Sequence, residues 1–373
     1  MTVRKRIAFI RPNKWPLANT KVQEEVKNQF PDYEFDVIDI KPLLKRHPAI
    51  LVINGLWTLL LYGFDILTGN KRFLEAFWYT PYIFRSVKRL LAQRLSKSEY
   101  LFTFQMQSLF DCSLPKVPHF VYTDHTYLAN LNYRDFNPNK LVSRRWIELE
   151  KQIYDNATIT FVRSSNIQQS LIEQYHYPDE RVICVYAGSN VNVDDRRIQQ
   201  KSYLGKNILY VGIDWNRKGG PELVAAFQKI LAQHPDASLT IVGANPKVEI
   251  PNCTVLGRIP PEEVAQYYEK ATIFCLPTHL EPFGIAFLEA MQARLPVIGT
   301  RIGAIPDFVH DGWNGFLIEP GDEQGLTEAL IKLLDNPDQC REFGERGFAL
   351  AQERYSWEAV GRRLHQHISN KLS

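Results

Sequence analysis

Residues 279–291 read HLEPFGIAFLEAM, with two carboxylates, Glu281 and Glu289, eight positions apart. Between them lie Pro282, Phe283 and Gly284, then the apolar run Ile285 to Leu288. A helix that is apolar on nearly all sides is normally buried. A carboxylate inside it is costly unless something pairs with it. Gly284 would permit close backbone approach to a ligand at a helix N-terminus. Glu289 follows it by five residues, roughly 7–8 Å along a helix axis. Ionised carboxylates accept hydrogen bonds from vicinal hydroxyls. The pair therefore fits a ligand with hydroxyls at both ends and anionic groups between. An ion pair of Glu289 with Arg294 or Arg301 accounts for the spacing equally well.

The matching cations stand in YVGIDWNRKGGPELVAAF, residues 210–227. A strand closes near Val211 and Gly212, and a helix opens at Pro221. Arg217, Lys218, Gly219 and Gly220 lie between. Exposed amides, the positive end of a helix and fixed cations suit a phosphate. A solvated glycine turn is the plain alternative, and the Walker pattern is absent. Two further candidates lie earlier. FVYTDHTYLANLNY places Asp124 and His125 at a strand end, where Asp124 or Thr126 could instead cap the following turn. Arg163 follows the strand ATITFV and points either into a site or to solvent.

These residues need a scaffold. Strands are expected at 6–10, 34–40, 99–104, 118–123, 158–162 and 181–186, then at 207–211, 238–242, 253–256, 272–276, 296–299 and 316–318. Helical patterns between them include 138–155, 166–176, 220–233, 260–270, 284–293, 322–335 and 337–353. Such alternation predicts parallel sheets covered on both faces. The 373 residues exceed one core. Two doubly wound α/β domains are expected, 1–190 and 191–355, with a polar seam at 187–206. A final amphipathic helix, 356–373, carries Trp357, Val360, Leu364 and Ile368 on one face. Ligands of open parallel sheets bind beyond the carboxyl ends of the strands.

Together, VGIDWNRKGG, EPFGIAFLEAMQARLPVIGTRIGAIPDFV and the SW-led tail helix resemble the retaining nucleotide-sugar glycosyltransferases of family 4. The likeness is strong over roughly 205–360. It implies a GT-B fold, two facing Rossmann-like domains with the tail helix crossing back to the first. It also implies that Glu281 contacts the donor sugar, Glu289 holds ribose hydroxyls and Lys218 binds the diphosphate. Backbone amides of Phe283, Gly284 and Ile285 would approach the diphosphate and sugar, beside the strand-end glycine, Gly212. The family's arginine after that glycine is Ile213 here, and Arg217 would supply the charge. His125 would sit near the donor sugar, with Asp124 and Arg163 on the acceptor side. The glycine-rich loop common after the first strand is missing from RPNKWPLANT, which leaves acceptor geometry open.

The implied reaction is retaining transfer from a UDP- or GDP-sugar to a glycan, lipid-linked or small-molecule acceptor. Arg217, Lys218 and helix amides would stabilise the leaving group. No Asp-x-Asp cluster stands beside the phosphate loop, so neither metal nor cofactor is expected beyond the donor itself. A same-fold epimerase and an inactive sugar-nucleotide-binding partner are the alternatives. Net charge is +3, which argues against a nucleic-acid partner. The five scattered cysteines suggest a reducing compartment, and no secretory signal is read at the N-terminus, so a cytoplasmic location is expected. Two segments raise the membrane. Residues 49–67 are nearly long enough to span, but Asn54, Gly55 and Asp65 interrupt them, so a buried pair of helices or a strand and helix is expected. Residues 71–97 read as a basic amphipathic helix, either packed on the first sheet or lying on the inner face of a membrane.

Overall fold

The computed structural model describes residues 6–14, 17–134, 136–191, 198 and 201–372. Trp15 and Pro16 of the glycine-free loop, and 192–197 and 199–200 of the polar seam, lie outside the described residues. The chain divides into two compact units, Met1–Tyr186 with Val360–Ser373, and Ala187–Ala359.

In the first unit, six parallel strands run in the order β2-β1-β3-β4-β5-β6. They are β1 (Arg6–Arg11), β2 (Glu34–Asp39), β3 (Tyr100–Met106), β4 (His119–Thr123), β5 (Ile159–Val162) and β6 (Val182–Cys184). Runs such as Ile7–Ile10 are buried along their length, because helices cover both faces of the sheet. Those helices are α1 (Leu17–Gln29), α2 (Ile40–Lys45), α3 (Pro48–Leu67), α4 (Phe73–Ala76), α5 (Pro81–Leu95), α6 (Arg144–Asn156) and α7 (Ser165–Gln174).

Three expectations change here. Residues 49–67 form one helix, α3, and most of its apolar side chains are exposed. Residues 71–97 are not one helix. The Thr80 hydroxyl accepts from the Ile83 amide at 3.2 Å and starts α5 afresh, with Pro81 in its first turn. Ile83, Val87, Leu91 and Leu95 of α5 are buried in a cluster with Ala8, Ile10 and Phe110, so this helix packs on the sheet. The helix expected from 138 begins at Arg144, after a single 3₁₀ turn at Pro138–Lys140.

In the second unit, the order is β12-β11-β10-β7-β8-β9, again all parallel. The strands are β7 (Asn207–Gly212), β8 (Ser238–Gly243), β9 (Cys253–Gly257), β10 (Ile273–Leu276), β11 (Val297–Thr300) and β12 (Gly315–Ile318). The helices are α8 (Gly220–Ile230), α9 (Pro261–Lys270), α10 (Ile285–Gln292), α11 (Ile305–Phe308), α12 (Glu323–Leu334) and α13 (Pro337–Arg354). Winding starts at β7, runs outward to β9, then returns to β10 on the other side of β7. The reversal falls between β7 and β10, the position at which open parallel sheets bind their ligands.

The tail helix α14 (Trp357–Leu372) buries Trp357, Val360, Leu364 and Ile368, the face expected from their spacing. From Val360 it belongs to the first unit, where His365 meets the Phe30 ring at 5.0 Å. A Cβ on Gly361 would stand 2.8 Å from Glu25 Oε2, so the small residue lets α14 lie against α1.

Candidate functional site

The reversal between β7 and β10 is where the cations and the first carboxylate meet. β7 ends at Gly212, and residues 213–219 carry the chain to α8. β10 ends at Leu276, and residues 277–284 carry it to α10. The two loops are stitched together. The Arg217 carbonyl accepts the Thr278 hydroxyl at 3.0 Å and the His279 amide at 2.9 Å. The Arg217 guanidinium donates to the Leu280 carbonyl at 2.6 Å and to Asp214 at 3.4 Å. Gly219 closes the turn at φ +69°, and a Cβ there would lie 1.9 Å from the Pro277 carbonyl oxygen. Only glycine meets both demands.

This stitching puts Lys218 Nζ in direct contact with the Glu281 carboxylate, across 63 positions of sequence. Both side chains are largely buried. Burial, then the neighbouring Arg217, pulls the Lys218 ammonium down to about 7, with Asp214 opposing. Ile213, where the resemblance expects an arginine, is exposed. Gly212 sits beneath this pair: a Cβ on it would stand 3.2 Å from Lys218 Cγ. Behind the loops, His279 Nε2 meets Glu222 Oε1 at 2.7 Å and ties the 277–284 loop to α8.

Gly284 adopts φ +95° and caps α10. The first amides of such a helix have no partner within it and carry its positive dipole end. Phe283 turns inward, meeting the Phe308 ring at 6.0 Å, so only its backbone is available to a ligand. Ile285 opens α10. Glu289 is 9% exposed, and one of its oxygens accepts the Tyr268 hydroxyl at 2.9 Å. Burial raises its carboxyl to about 7, with the tyrosine hydrogen bond opposing. Neither arginine proposed as its ion partner is there. Arg294 pairs with Glu345 and stacks on Phe348, and Arg301 pairs with Glu319 at 3.3 Å.

The first unit holds the remaining candidates. Arg163 is buried, not superficial: it donates to Asp124 at 3.1 Å and lies over the Tyr122 ring at 5.0 Å. Its Nε and Nη2 are buried without a hydrogen-bond partner. Asp124 is thus an ion partner, while Thr126 Oγ1 accepts from the Ala129 amide at 3.3 Å and supplies the expected cap. His125 lines a cavity of about 370 Å³ with Lys71, Glu75, Tyr79, Tyr127 and Lys140. Its Nδ1 is buried and unpartnered, and burial lowers its imidazole below the usual histidine range against the pull of Asp124. A second cavity of about 220 Å³, lined by Pro12, Asn19, Lys41, Trp78 and Gln107 among others, opens beyond β1 and β3.

Sequence reasoning missed a buried carboxyl that holds the backbone of Tyr127, one of the residues lining the 370 Å³ cavity. Glu150 of α6 is buried, and it accepts from the Tyr127 amide at 3.1 Å, Tyr154 at 3.0 Å, Ser108 at 3.1 Å and also Tyr175. Burial raises it to about 7, with these hydrogen bonds opposing. Its signal was present: Trp146, Glu150 and Ile153 share one helical face, so a glutamate stands on a core stripe. Tyr268, the partner of Glu289, left no such mark.

Comparison with known proteins now bears on this geometry. Residues 194–349 match the family described as Glycosyl transferases group 1. That stretch contains both loops at the β7/β10 reversal. A D-inositol 3-phosphate glycosyltransferase of Corynebacterium jeikeium is 31% identical over 276 residues, 66% of this chain and 65% of that protein. The chain thus matches a little under two thirds of that relative's length. A GDP-mannose-dependent monoacylated alpha-(1-6)-phosphatidylinositol monomannoside mannosyltransferase of Corynebacterium glutamicum is 32% identical over 164 residues, 40% of this chain and 43% of that one. Among solved structures, sucrose-phosphate synthase from Thermosynechococcus elongatus superposes with a TM-score of 0.68 at 18% identity, covering 99% of both chains. The fold is the two-domain α/β architecture of GT-B glycosyltransferases.

Proposed function

We propose that this chain is a retaining, metal-independent hexosyltransferase that moves a sugar from a UDP- or GDP-sugar to a glycan, lipid-linked or small-molecule acceptor. The observation that carries the reading is the contact of Lys218 with Glu281 at the reversal of the second sheet. A cation and a carboxylate held together in a crevice are a pair that a diphosphate sugar can separate. The diphosphate takes Lys218, with Arg217 and the α10 amides beside it, and stabilises as a leaving group there. Glu281, released, accepts hydroxyls of the sugar. Glu289 keeps Tyr268 on one oxygen and offers the other to the ribose. In this reading the departing phosphate takes the acceptor's proton, and no carboxylate becomes covalently bound. His125, neutral in its cavity, orients the sugar, and the Asp124–Arg163 pair belongs to the acceptor side.

The relatives support this reading through the activities they are named for, one with an inositol phosphate and one with GDP-mannose and a phosphatidylinositol mannoside. The five cysteines are unbridged, which fits a cytoplasmic setting. The test is a thermal-shift screen over UDP, GDP and ADP, since a ligand raises apparent stability by mass action. Turnover of the matching nucleotide sugars follows. Lys218→Ala and Glu281→Ala should each lower turnover by on the order of a hundredfold or more. Nucleotide binding with no turnover of any donor, with or without acceptor, would identify a binding partner and end the enzymatic reading.

A further inference from the structure

Helix α3 carries its polarity the wrong way round for a water-soluble surface. Its inward stripe is Asn54, Thr58 and Tyr62, one residue per turn, all buried. Each is satisfied by the protein. Asn54 Nδ2 donates to the Phe77 carbonyl at 2.7 Å, and its Oδ1 accepts the Thr80 hydroxyl. Thr58 donates to the Asn54 carbonyl at 2.8 Å, and Tyr62 to the Tyr79 carbonyl at 2.8 Å. The outward face is Val52, Leu56, Leu59, Leu60, Phe64 and Leu67, with exposure from 54% at Leu59 to 88% at Leu67. Leu74, just beyond the helix, is 79% exposed. An amphipathic surface helix normally turns its apolar side inward. A contiguous apolar face of this length marks a surface that meets something other than water.

The surrounding charge selects the occupant. Lys45, Arg46 and His47 are exposed immediately before α3, and Arg72 is exposed five residues beyond its end. Arg85 and Arg89 are exposed on α5, which packs beside α3 and stacks Tyr82 against Trp57 at 6.5 Å. The acidic groups nearby are Asp65, already held by Lys71 at 2.8 Å, and Glu75. The start of the apolar face is therefore basic, while at its end Arg72 is offset by Glu75. Parallel pairing with a second copy would bring Lys45 and Arg46 of both chains together, and antiparallel pairing would offer them only Glu75. An anionic bilayer instead accepts cations at its surface and apolar side chains beneath them. A spanning orientation would pull Asn54, Thr58 and Tyr62 from their partners into hydrocarbon, where unsatisfied polar groups are costly. The helix has the 20 residues a span requires, yet its polar stripe is bonded to residues 77–80.

We propose that α3 is a monotopic membrane-docking helix, lying in the plane of an anionic phospholipid surface with Leu56, Leu60, Phe64 and Leu67 inserted below the headgroups. The proposal stands whether or not the transferase reading holds. Asn70 and Lys71, on the wall of the 370 Å³ cavity, follow the end of α3 by three and four residues.

The test is co-flotation of the full chain with vesicles of phosphatidylcholine alone and of phosphatidylcholine with phosphatidylglycerol. Wild-type protein should float with the anionic vesicles and much less with the neutral ones. L56E/L60E/F64E should lower the partition coefficient by at least about a hundredfold, and K45E/R46E/R72E by about tenfold, on anionic vesicles only. Unchanged far-ultraviolet circular dichroism and an unchanged thermal midpoint would show that these variants fold. High salt or carbonate washing should release the bound wild type. Three results would overturn the proposal: no flotation of the wild type, retention through carbonate washing, or a concentration-dependent dimer that the L56E/L60E/F64E variant dissolves.

Discussion

Glu289→Gln isolates the buried carboxyl that the proposed function assigns to the ribose. Glutamine keeps the size and still accepts the Tyr268 hydroxyl, but it cannot ionise. In the folded chain burial lifts Glu289 from 4.5 to about 7. The folded value lies above the unfolded one, so the carboxyl's contribution to stability is complete below about 4.5 and is lost as pH rises through 7. A gap of about 2.5 pH units at 1.36 kcal/mol each gives on the order of 3 kcal/mol lost by about pH 8.5, and under about 1 kcal/mol at pH 5. Urea unfolding followed by tryptophan fluorescence should show the variant nearly equal to wild type at pH 5 and more stable by about that amount at pH 8.5. Ligand binding runs the other way. Ribose hydroxyls need the ionised form, so wild-type affinity for a nucleotide sugar should rise up to tenfold per pH unit below 7. A nucleotide sugar is the right probe, because its diphosphate is a diester and does not titrate in this range. Glu289→Gln should bind more weakly at pH 8 and lack the rise in affinity between pH 5 and 7, leaving only the fall above 7 as Lys218 loses its charge. If the variant keeps the wild-type pH slope in both assays, the titrating group is not Glu289. The origin would then have to be sought at Lys218, which burial lowers to about 7, or at Glu150, which burial raises to about 7.

Gly219→Ala should cost more than about 3 kcal/mol, since it combines a left-handed backbone with a Cβ driven into the Pro277 carbonyl. Gly321→Ala, also at positive φ but with nothing within 4 Å, should cost only about 1 kcal/mol, and thermal midpoints of the two variants compare them directly. Glu281→Gln removes the carboxylate that neutralises Lys218. It should tighten binding of a bare nucleoside diphosphate by several-fold while lowering sugar transfer, as read by calorimetry and turnover. Glu150→Ala strips the acceptor from the Tyr127 amide and three hydroxyls. It should destabilise the first unit by on the order of 3 kcal/mol, seen as a lower urea midpoint.

The parallel strands were legible because the central ones are buried runs of β-branched and aromatic residues bounded by polar turns. The expected 207–211, 238–242 and 272–276 differ from β7, β8 and β10 by one residue at one end. Helix α1 was not read, because LANTKVQEEVKNQ presents only Ala18, Val22 and Val26 as an apolar stripe, too sparse to stand out. The break at Thr80 was visible as a capping threonine before proline, and the basic run around it obscured that signal. Helix α3 was misjudged for a different reason. Its mean apolarity suggested burial, and a hydropathy average does not distinguish an apolar face turned inward from one turned outward.

The site shows the same division between local and non-local information. Glycines and cations at 217–220 and the carboxylate at 281 could be named from their own segments. What brings them together is the order of winding: β10 returns to the flank of β7, so two loops separated by 63 positions share one crevice. No local pattern encodes that return, and no local pattern encodes the partner of Glu289, which comes from Tyr268 on α9. A spacing argument looked for an arginine because it assumed that a buried carboxylate is charged. Burial instead favours the neutral acid, for which one tyrosine hydroxyl suffices until a ligand supplies more donors. An empty donor site that stored a bare carboxylate would be under constant electrostatic cost. One that stores a neutral acid and a cancelled Lys218–Glu281 pair is stable alone, and under the proposed function it would become charged only when a diphosphate and a ribose arrive.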